Sequence, residues 1–178
     1  MGLARARPNR KLKVKIKWGR RAPGGKTEVL CVDAWWRRIL EDVRAAKAVR
    51  IATFIYDHPG LQAELLRRLG GHGAFALSVV VDKEGLEERV SVHQRPRLLE
   101  LQRAGAEVRV GRGLRRMGRL HAKALCVDGR AVYTGSANLT KKSTDNEELC
   151  LRLTGRPAAQ VATFVGKVTA NARLWDGA

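Results

Sequence analysis

The chain has little of several features that would settle its class at once. It has three cysteines in 178 residues, Cys31, Cys126 and Cys150, which are odd in number and far apart. No Cys-x-x-Cys pair or cysteine–histidine cluster has the spacing of zinc ligands, so neither a disulfide framework nor a structural zinc site is indicated. Aromatic residues make up only 5% of the chain, so aliphatic side chains must fill the core.

Long apolar segments are also missing. No apolar run approaches the roughly 18 to 20 residues needed to cross a bilayer, and the N-terminus lacks the apolar core of a secretory signal. We therefore expect a soluble, intracellular protein with no stable membrane association. The compartment stays open, because a basic N-terminus without acids is also typical of organelle transit peptides.

Acidic residues are scarce relative to basic ones. Lys plus Arg is 35 and Asp plus Glu is 17, which gives a net charge of +18 and a sequence pI near 11.0. This excess opposes compaction by self-repulsion, so it favours a polyanionic partner, nucleic acid first and an anionic membrane surface second. With 44% hydrophobic residues the chain can still bury an ordinary core, which excludes a mainly disordered chain or a collagen.

Half of the net charge lies in residues 1–28, which we set apart as a basic N-terminal arm. They contain ten lysines and arginines and one acid, Glu28. Residues 11–18 alternate lysine with apolar residues, the period of a strand with one cationic face. Three interpretations remain open: an arm that contacts phosphates, an edge strand guarded by lysines, and a targeting segment.

Residues 29–178 form the second predicted unit, in which strands and helices alternate. Strands are predicted at 29–32, 49–56, 75–81 and 107–110. Helices are predicted around Trp36, after Pro59, at 96–104 and after Pro157, with Asp33 as the N-cap of the first. This alternation predicts a single-domain α/β fold with a mixed, largely parallel β-sheet flanked by helices on both faces.

Residues 120–140 carry the chemistry. Asp128-Gly129 lies between two β-rich runs and predicts a hairpin turn. His121 and Lys123 are two apart on the first strand, so both side chains project from the same face. Asp128 has the opposite parity and lies at the turn, where it is better placed to support the hairpin than to touch a substrate.

The second strand of this hairpin leads to Gly135-Ser136-Ala137-Asn138. Small and polar residues there allow close backbone approach and supply N–H, hydroxyl and amide donors to an anion. An imidazole, an ammonium and these donors together suit an anionic, tetrahedral phosphorus centre. No P-loop or carboxylate cage is present, so magnesium chemistry is not suggested.

The segment resembles the signature of the phospholipase D superfamily, H-x-K-x(4)-D-x(6)-G-S-x-N. All six fixed positions match: His121, Lys123, Asp128, Gly135, Ser136 and Asn138. On the order of a few chance matches per million chains of this length are expected, so the motif is highly specific. The resemblance covers roughly residues 29–176.

The resemblance implies a mechanism and a homodimer. Each active site of the superfamily uses two such motifs and this chain has one, so His121 of two subunits would face each other across a two-fold axis. One His121 would attack phosphorus to form a phosphohistidine, while the other protonates the leaving oxygen. Lys123 and Asn138 would hold the non-bridging oxygens with the help of Ser136. The resemblance implies no metal and no other cofactor.

Two acidic positions complete the candidate catalytic set. Asp128 is the aspartate of the motif. Glu147 matches the acid that orients the histidine in the superfamily. Because Glu147 follows Asn138 at a shorter spacing than in bacterial nuclease members, Glu148 is an alternative.

The motif implies the reaction and not the substrate, since the superfamily cleaves nucleic acids, phospholipids and other phosphodiesters. The arginine-rich loop at 111–119 lies directly before His121 and could follow a phosphate backbone. Its four candidate substrate-binding residues are Arg112, Arg115, Arg116 and Arg119. A solvated run of charge is the alternative interpretation of this loop. His58 follows a predicted strand, where α/β folds often place ligand contacts, and is a fifth candidate.

We therefore expect a metal-independent, dimeric endonuclease of low sequence specificity that acts on DNA or RNA. The second hypothesis is a phosphodiesterase acting on cardiolipin or another anionic phospholipid, which the missing amphipathic interfacial helix disfavours. The third is a nucleic-acid-binding module with vestigial catalysis, which the intact motif disfavours. The sequence does not distinguish DNA from RNA or single strands from duplexes.

Overall fold

A computed structural model describes residues 24–71, 73–88, 91–114 and 118–177. The predicted strand at 11–18, with most of the basic arm, lies outside the described residues, and so do two of the candidate substrate-binding arginines, Arg115 and Arg116. The strands are β1 (Thr27–Leu30), β2 (Ala48–Thr53), β3 (Ala76–Asp82), β4 (Glu107–Gly111), β5 (Lys123–Val127), β6 (Ala131–Gly135), β7 (Cys150–Thr154) and β8 (Arg173–Leu174). The helices are α1 (Val32–Ala45), α2 (Pro59–Leu69), α3 (Lys83–Glu87), α4 (Gln94–Arg103) and α5 (Gly155–Asn171), with a 3-10 turn at Lys142–Asp145.

All eight strands form one mixed sheet in the order β1-β7-β6-β5-β2-β3-β4-β8. The predicted α/β class, with a mixed sheet in a single domain, is confirmed. Parallel pairing joins β2 to β3 and β3 to β4, and the other described pairs are antiparallel. The sheet is thus parallel only in its β2–β3–β4 part. The reason is that α2 and α4 act as crossover connections there, whereas β5, β6 and β7 are antiparallel neighbours in chain order.

Helices cover both faces of the sheet, as predicted. α1, α2 and α4 pack on one face through a core whose largest members, such as Trp35, Ile39 and Leu65, are fully buried. On the other face α5 packs alone, through Val165 and Val168. Because one helix cannot cover the whole face, open concave surfaces remain on both sides of α5.

Some element boundaries differ from the sequence prediction. Helix α1 begins at Val32 with Cys31 as its N-cap, so Asp33 lies in the first turn, where its charge favours the helix dipole. β1 begins at Thr27 and therefore crosses the limit at residue 28 that we set for the arm. β2 ends earlier than predicted, at Thr53.

The hairpin turn predicted at Asp128-Gly129 is confirmed. These two residues have φ values of 51° and 65°, in the left-handed region that Asp and Gly tolerate best. The Arg130 N–H donates to the Val127 carbonyl oxygen at 2.9 Å and closes the turn. No described helix combines the length and the hydropathy that a membrane-spanning helix needs.

The side of the sheet where the parallel strands end and the side where they begin carry different residues. Thr53 pairs with Lys123 and Ala124 pairs with Thr134, so the last residues of β2 and β6 lie beside the first residues of β5. We call this side of the sheet the carboxyl edge, because the parallel strands end there, and the opposite side, where they begin, the amino edge. Ligands of open α/β sheets usually bind at the carboxyl edge.

Candidate active site

His121 and Lys123 lie at the start of β5, on the carboxyl edge. Lys123 is 8% exposed, whereas His121 is exposed. Lys123 Nζ lies 3.1 Å from Nδ1 and 3.2 Å from Nε2 of His121, and donates to the His121 carbonyl oxygen at 3.1 Å. An ammonium can only donate, so the imidazole nitrogen that it bonds must be unprotonated. The two residues that the His-x-Lys spacing placed on one face are thus in direct contact.

The surroundings of both side chains favour their neutral forms. Partial desolvation of the ring and the nearby Lys123 ammonium lower the pKa of His121, against the opposing charge of Asp82. Burial lowers the pKa of Lys123, and the charge of Glu148 opposes this. A neutral imidazole is the form that attacks an electrophile or accepts a proton, and the lowered pKa of His121 favours that form.

Gly135 ends β6 at a point where the backbone passes very close to Leu149. Gly135 has φ 152°, and a Cβ there would lie 1.9 Å from the Leu149 carbonyl oxygen, so a side chain does not fit. The Ser136 N–H donates to that same oxygen at 3.0 Å, and the Leu149 N–H donates to Ser136 Oγ at 3.0 Å. The glycine of the motif therefore couples Ser136 to the segment that enters β7.

Glu148 is the acid that this coupling brings to Ser136. Its carboxylate accepts hydrogen bonds from Ser136 Oγ and, at 3.3 Å, from Asn146 Nδ2. Its charge also reaches Lys123, as the opposing effect on the lysine pKa indicates. Glu147 is exposed, and no hydrogen bond or ion pair joins its carboxylate to any residue that the structure describes. Of the two acids that the spacing left open, Glu148 is in contact with the site.

Asn138 carries an amide with unused hydrogen-bonding capacity. Its Oδ1 is buried and has no hydrogen-bond partner among the described residues. Leaving such an atom unpaired costs about 1–3 kcal/mol unless a ligand or water bonds it. The next residue, Leu139, forms a bridge with Tyr56 just beyond β2, which holds this loop against the carboxyl edge. Asn138 thus lies beside the ends of β2 and β6; its unpaired Oδ1 is an acceptor, so only the Nδ2 group of the amide can donate to an anion.

Asp82, which the sequence analysis did not identify as a site residue, fixes the backbone before His121. It ends β3, it is fully buried, and its Oδ2 accepts from the Leu120 N–H at 2.6 Å. Its Oδ1 accepts from the Gly85 N–H at 2.9 Å. The same carboxylate therefore caps α3 and holds the residue directly before the histidine. An acid at the end of a buried strand was the available signal for this role.

Phe54 was also missed, and no local pattern pointed to it. Its ring centroid lies 5.2 Å from that of His121, and Lys123 Nζ lies 6.0 Å from the Phe54 ring centroid. The Phe54 N–H donates to the Ala122 carbonyl oxygen at 3.1 Å, which extends the pairing of β2 with the start of β5. Phe54 thus forms an apolar wall beside the imidazole.

Asp128 does not join this group, and its assignment as a catalytic residue stays a prediction. It lies on the amino edge, at the far end of β5 from Lys123. Its Oδ1 accepts from the backbone N–H groups of Lys47 at 2.9 Å and Ala48 at 2.8 Å. The carboxylate ties the hairpin turn to the start of β2, which is the supporting role that its parity indicated.

His58 caps α2 and packs into the core, and its assignment as a substrate-binding residue stays a prediction. Its Nδ1 accepts from the Leu61 N–H at 3.1 Å, and its ring stacks on Trp36 with 3.8 Å between centroids. Burial, assisted by the charges of Lys141 and Arg97, lowers the pKa of His58 to about 4. The ring is therefore a neutral part of the core at neutral pH.

Arg112 and Arg119, the two described arginines of the arginine-rich loop, are ion-paired with α3 and the residue after it. Arg112 lies 3.2 Å from Glu84, and Arg119 lies 2.7 Å from Glu84 and 3.0 Å from Glu88. These carboxylates raise the pKa of Arg119. Exposed ion pairs of this kind exchange readily, so a phosphate can compete for both arginines. In the free protein their charge is nevertheless compensated.

Taken together, the carboxyl edge presents an imidazole, an ammonium, a hydroxyl and an amide next to one carboxylate. This donor set suits an anionic, tetrahedral centre. The described residues contain no group of three or more His, Cys, Asp or Glu side chains that could hold a metal ion.

Comparison with known families gives one match over most of the chain. The sequence profile of the family described as "Cardiolipin synthase, PLD-like domain" matches residues 42–165. No curated protein sequence is significantly similar to this chain.

Solved structures with a similar fold are distant in sequence. Nuc from Salmonella typhimurium, a phospholipase D family member, is 18% identical with a TM-score of 0.69, over 85% of this chain and 99% of that one. The archaeal chromatin protein TrmBL2, described as having a novel mode of DNA binding, is 12% identical with a TM-score of 0.58, over 84% of this chain and 55% of that one. Phosphatidylserine synthase from Haemophilus influenzae is 15% identical with a TM-score of 0.62, over 85% of this chain and 40% of that one. At these identities the likeness establishes the fold alone.

Proposed function

This chain belongs to the phospholipase D superfamily, whose members are phosphodiesterases, and from that membership we propose that it is a metal-independent endonuclease of low sequence specificity. In this proposal two copies of the chain share each active site. The proposal rests above all on one observation, the direct contact of His121 with Lys123 beside the Ser136–Glu148 pair.

The reaction proceeds in two steps that balance protons and bonds. In the first step His121 attacks the phosphorus, the bond from phosphorus to the leaving oxygen breaks, and the protonated His121 of the second copy gives its proton to that oxygen. In the second step the second imidazole takes a proton from water, the hydroxide attacks phosphorus, and the P–N bond breaks. Both histidines return to their starting protonation states.

Lys123 changes partner when the substrate binds. In the free protein its ammonium bonds the imidazole, and a non-bridging phosphate oxygen is a stronger acceptor for it. Moving to the phosphate frees the imidazole nitrogen for attack at the moment when the substrate is present. In the free protein the Ser136 hydroxyl gives its one proton to Glu148, so it has to turn away from Glu148 to donate to a non-bridging oxygen. The Nδ2 group of Asn138 is the further donor in this proposal.

The single motif supports the requirement for a second copy, because one chain supplies only one of the two imidazoles that the reaction uses. Leu149 adds to this support. It follows Glu148 directly, and its apolar side chain is 58% exposed at the site. A second copy packed over the carboxyl edge would bury it.

Nucleic acid is the favoured substrate because the chain carries a net charge of +18. The arginines before His121 can exchange their glutamate partners for phosphates. The family description names cardiolipin synthase, so a lipid phosphodiester is the alternative that the experiment must separate.

The test is a digestion panel in excess EDTA with single- and double-stranded DNA, RNA and cardiolipin vesicles. We expect cleavage of nucleic acid, and its loss in His121→Ala. A strict requirement for magnesium would overturn the mechanism. Turnover of cardiolipin faster than that of every oligonucleotide would overturn the substrate assignment.

Subunit mixing tests the shared site. When wild-type and His121→Ala chains are unfolded together and refolded in equal amounts, heterodimers carry one histidine and cannot complete the reaction. Activity should fall to roughly a quarter of the wild-type value, because only wild-type homodimers remain active. A fall to roughly a half would mean that each chain works alone.

A further inference from the structure

We propose that the amino edge of the sheet, opposite the active site, carries a second phosphate-binding surface that takes the backbone of a nucleic acid. Three cations line a cavity of about 550 Å³ beside α5: Lys47, Arg50 and Arg130. We call this surface the amino-edge groove. Its other lining residues are small, such as Ala48 and Ala162, so a polymer backbone can approach closely.

The cations of the amino-edge groove have no carboxylate partners. No ion pair or hydrogen bond joins the side chain of Lys47, Arg50 or Arg130 to another described residue. All 17 Asp and Glu residues lie within the described ranges, so the rest of the chain supplies no further acidic side chain. Asp128 also lines the groove, but its Oδ1 is bonded to two backbone N–H groups. The three positive charges therefore outnumber the one carboxylate of the groove, which favours the binding of an anion.

The groove extends across several strands. Arg50 lies on β2 between Cys126 of β5 and Ser78 of β3. Beyond Arg50 the concave surface continues into a second cavity of about 670 Å³ that reaches Arg109 on β4, which is ion-paired with Glu107 of the same cavity. The three strand spacings from β5 to β4 amount to roughly 14 Å. This length matches roughly four nucleotide steps along one strand of a duplex.

The lining favours nucleic acid over a membrane surface. Proteins that lie on anionic membranes combine cations with exposed large apolar side chains. None of the exposed large apolar residues that the structure describes lines either cavity: Val29, Val92, Leu114, Leu149, Phe164 and Leu174. The surface is concave, and two of its three cations are arginines, which bind phosphate oxygens in a bidentate manner.

The groove is separate from the active site. It lies at the opposite end of β5, about 17 Å from Lys123 at the usual rise per residue of a strand. Binding there needs no cleavage, so the inference goes beyond the proposed function and shares with it only the choice of nucleic acid.

Binding of DNA by matched triple variants tests the proposal. Both are made in the His121→Ala background, so that no cleavage occurs. The groove variant is Lys47→Ala/Arg50→Ala/Arg130→Ala. The control variant removes one lysine and two arginines that are exposed elsewhere: Lys26→Ala/Arg37→Ala/Arg103→Ala. The probe is fluorescently labelled DNA of about 20 nucleotides, single-stranded and duplex, whose anisotropy is measured over a range of salt concentrations.

The groove variant should bind about 10-fold more weakly than the control near 0.1 M salt, and the slope of log Kd against log salt should fall by about 2. Equal binding by the two variants overturns the proposal. Loss of binding to anionic lipid vesicles, with DNA binding retained, also overturns it. If the triple variant does not fold, Arg130→Glu in the exposed turn against Arg37→Glu makes the same comparison.

The outcomes also separate this proposal from the proposed function. If the wild-type chain cuts nucleic acid and the groove variant binds like the control, the second surface is refuted and the nuclease stands. If no nucleic acid is cut but binding falls only in the groove variant, the nuclease is refuted and the second surface stands.

Discussion

The described cations at the carboxyl edge and at the amino edge of the sheet differ in whether they are paired with carboxylates. On the carboxyl edge the described arginines before His121 are paired with the glutamates of α3 and its C-cap. On the amino edge the three cations of the groove have no acidic partner among the described residues. Among the described residues, the two arginines before His121 are thus paired with carboxylates, whereas the three cations of the groove are not. A net charge of +18 predicts a polyanionic partner but not which surface holds it.

The edges also use carboxylates in parallel ways with different consequences. Asp82 and Asp128 each accept two backbone N–H groups and tie one connection to the sheet. Asp82 does so directly before His121, whereas Asp128 does so at a turn far from it. The same local chemistry therefore positions the candidate active site in one place and supports only the fold in the other.

Removing the imidazole tests the comparison most severely. His121→Ala should lower activity at least about 1,000-fold, because it removes the nucleophile of the proposed mechanism. His93→Ala is the matched control, since His93 is exposed and lies at the start of α4. Measurement of kcat/KM on a small phosphodiester checks both. If the His121→Ala protein stayed active, the reaction would have to take place somewhere other than the carboxyl edge.

Acid should lower the free energy of unfolding because of His58, which lies near the carboxyl edge. Its pKa of about 4 lies below the usual 6.5, so between these values the unfolded chain binds a proton that the folded chain does not. Stability should therefore fall as the pH drops from about 6.5 to about 4, by about 3 kcal/mol.

His58→Asn isolates this effect, because asparagine can still accept the Leu61 N–H but does not titrate. In urea unfolding over this pH range, the free energy of unfolding of the variant should depend less on pH than that of the wild type. His93→Asn should keep the wild-type profile. If His58→Asn kept it too, the acid sensitivity would have to come from another group.

The two carboxylates sharpen the comparison further. Asp82→Asn offers one acceptor oxygen for two N–H groups and removes a charge that raises the pKa of His121. We expect kcat/KM to fall about 10- to 100-fold and the rising limb of the pH–rate profile to shift to lower pH.

Asp128→Asn is the counterpart on the amino edge. Its Oδ1 receives both N–H groups, so asparagine can keep both bonds, and activity should stay within about 2-fold of wild type. NMR titration of the His121 ring gives a readout that does not depend on activity. An equal shift in both variants would contradict a special role for Asp82.

The smallest expected effect comes from freeing the paired arginines. Glu84→Gln/Glu88→Gln releases Arg112 and Arg119 and should tighten nucleic-acid binding a few-fold with a steeper salt dependence. Glu41→Gln/Glu87→Gln makes the same change in charge at two other exposed ion pairs. Equal effects of the two variants would mean that only total charge matters.

Short-range sequence patterns were enough to predict much of the candidate site. The hairpin around Asp128-Gly129 and the contact of His121 with Lys123 follow from short-range spacing, and both are present in the structure. Phe54 and Asp82 were missed because they reach His121 from other strands, and a single sequence does not reveal which strands are neighbours.

The contacts of His58, Arg112 and Arg119 also join positions that are far apart in the chain. His58 precedes Pro59, a signal of a helix start, yet its place after a strand suggested a ligand contact. The stacking on Trp36 that decides its role joins positions far apart in the chain. The partners of Arg112 and Arg119 are likewise distant in sequence, so the loop alone could not indicate that the charge of these two arginines is compensated.

Because the backbone passes so close to Leu149 at Gly135, the geometry of the site depends on this one position having no side chain. Any side chain there would act as a wedge between β6 and β7, where a Cβ would meet the Leu149 carbonyl oxygen at 1.9 Å. Separating the two strands would displace Ser136 and Glu148 together. A single substitution at Gly135 could therefore abolish activity although every reactive side chain is still present.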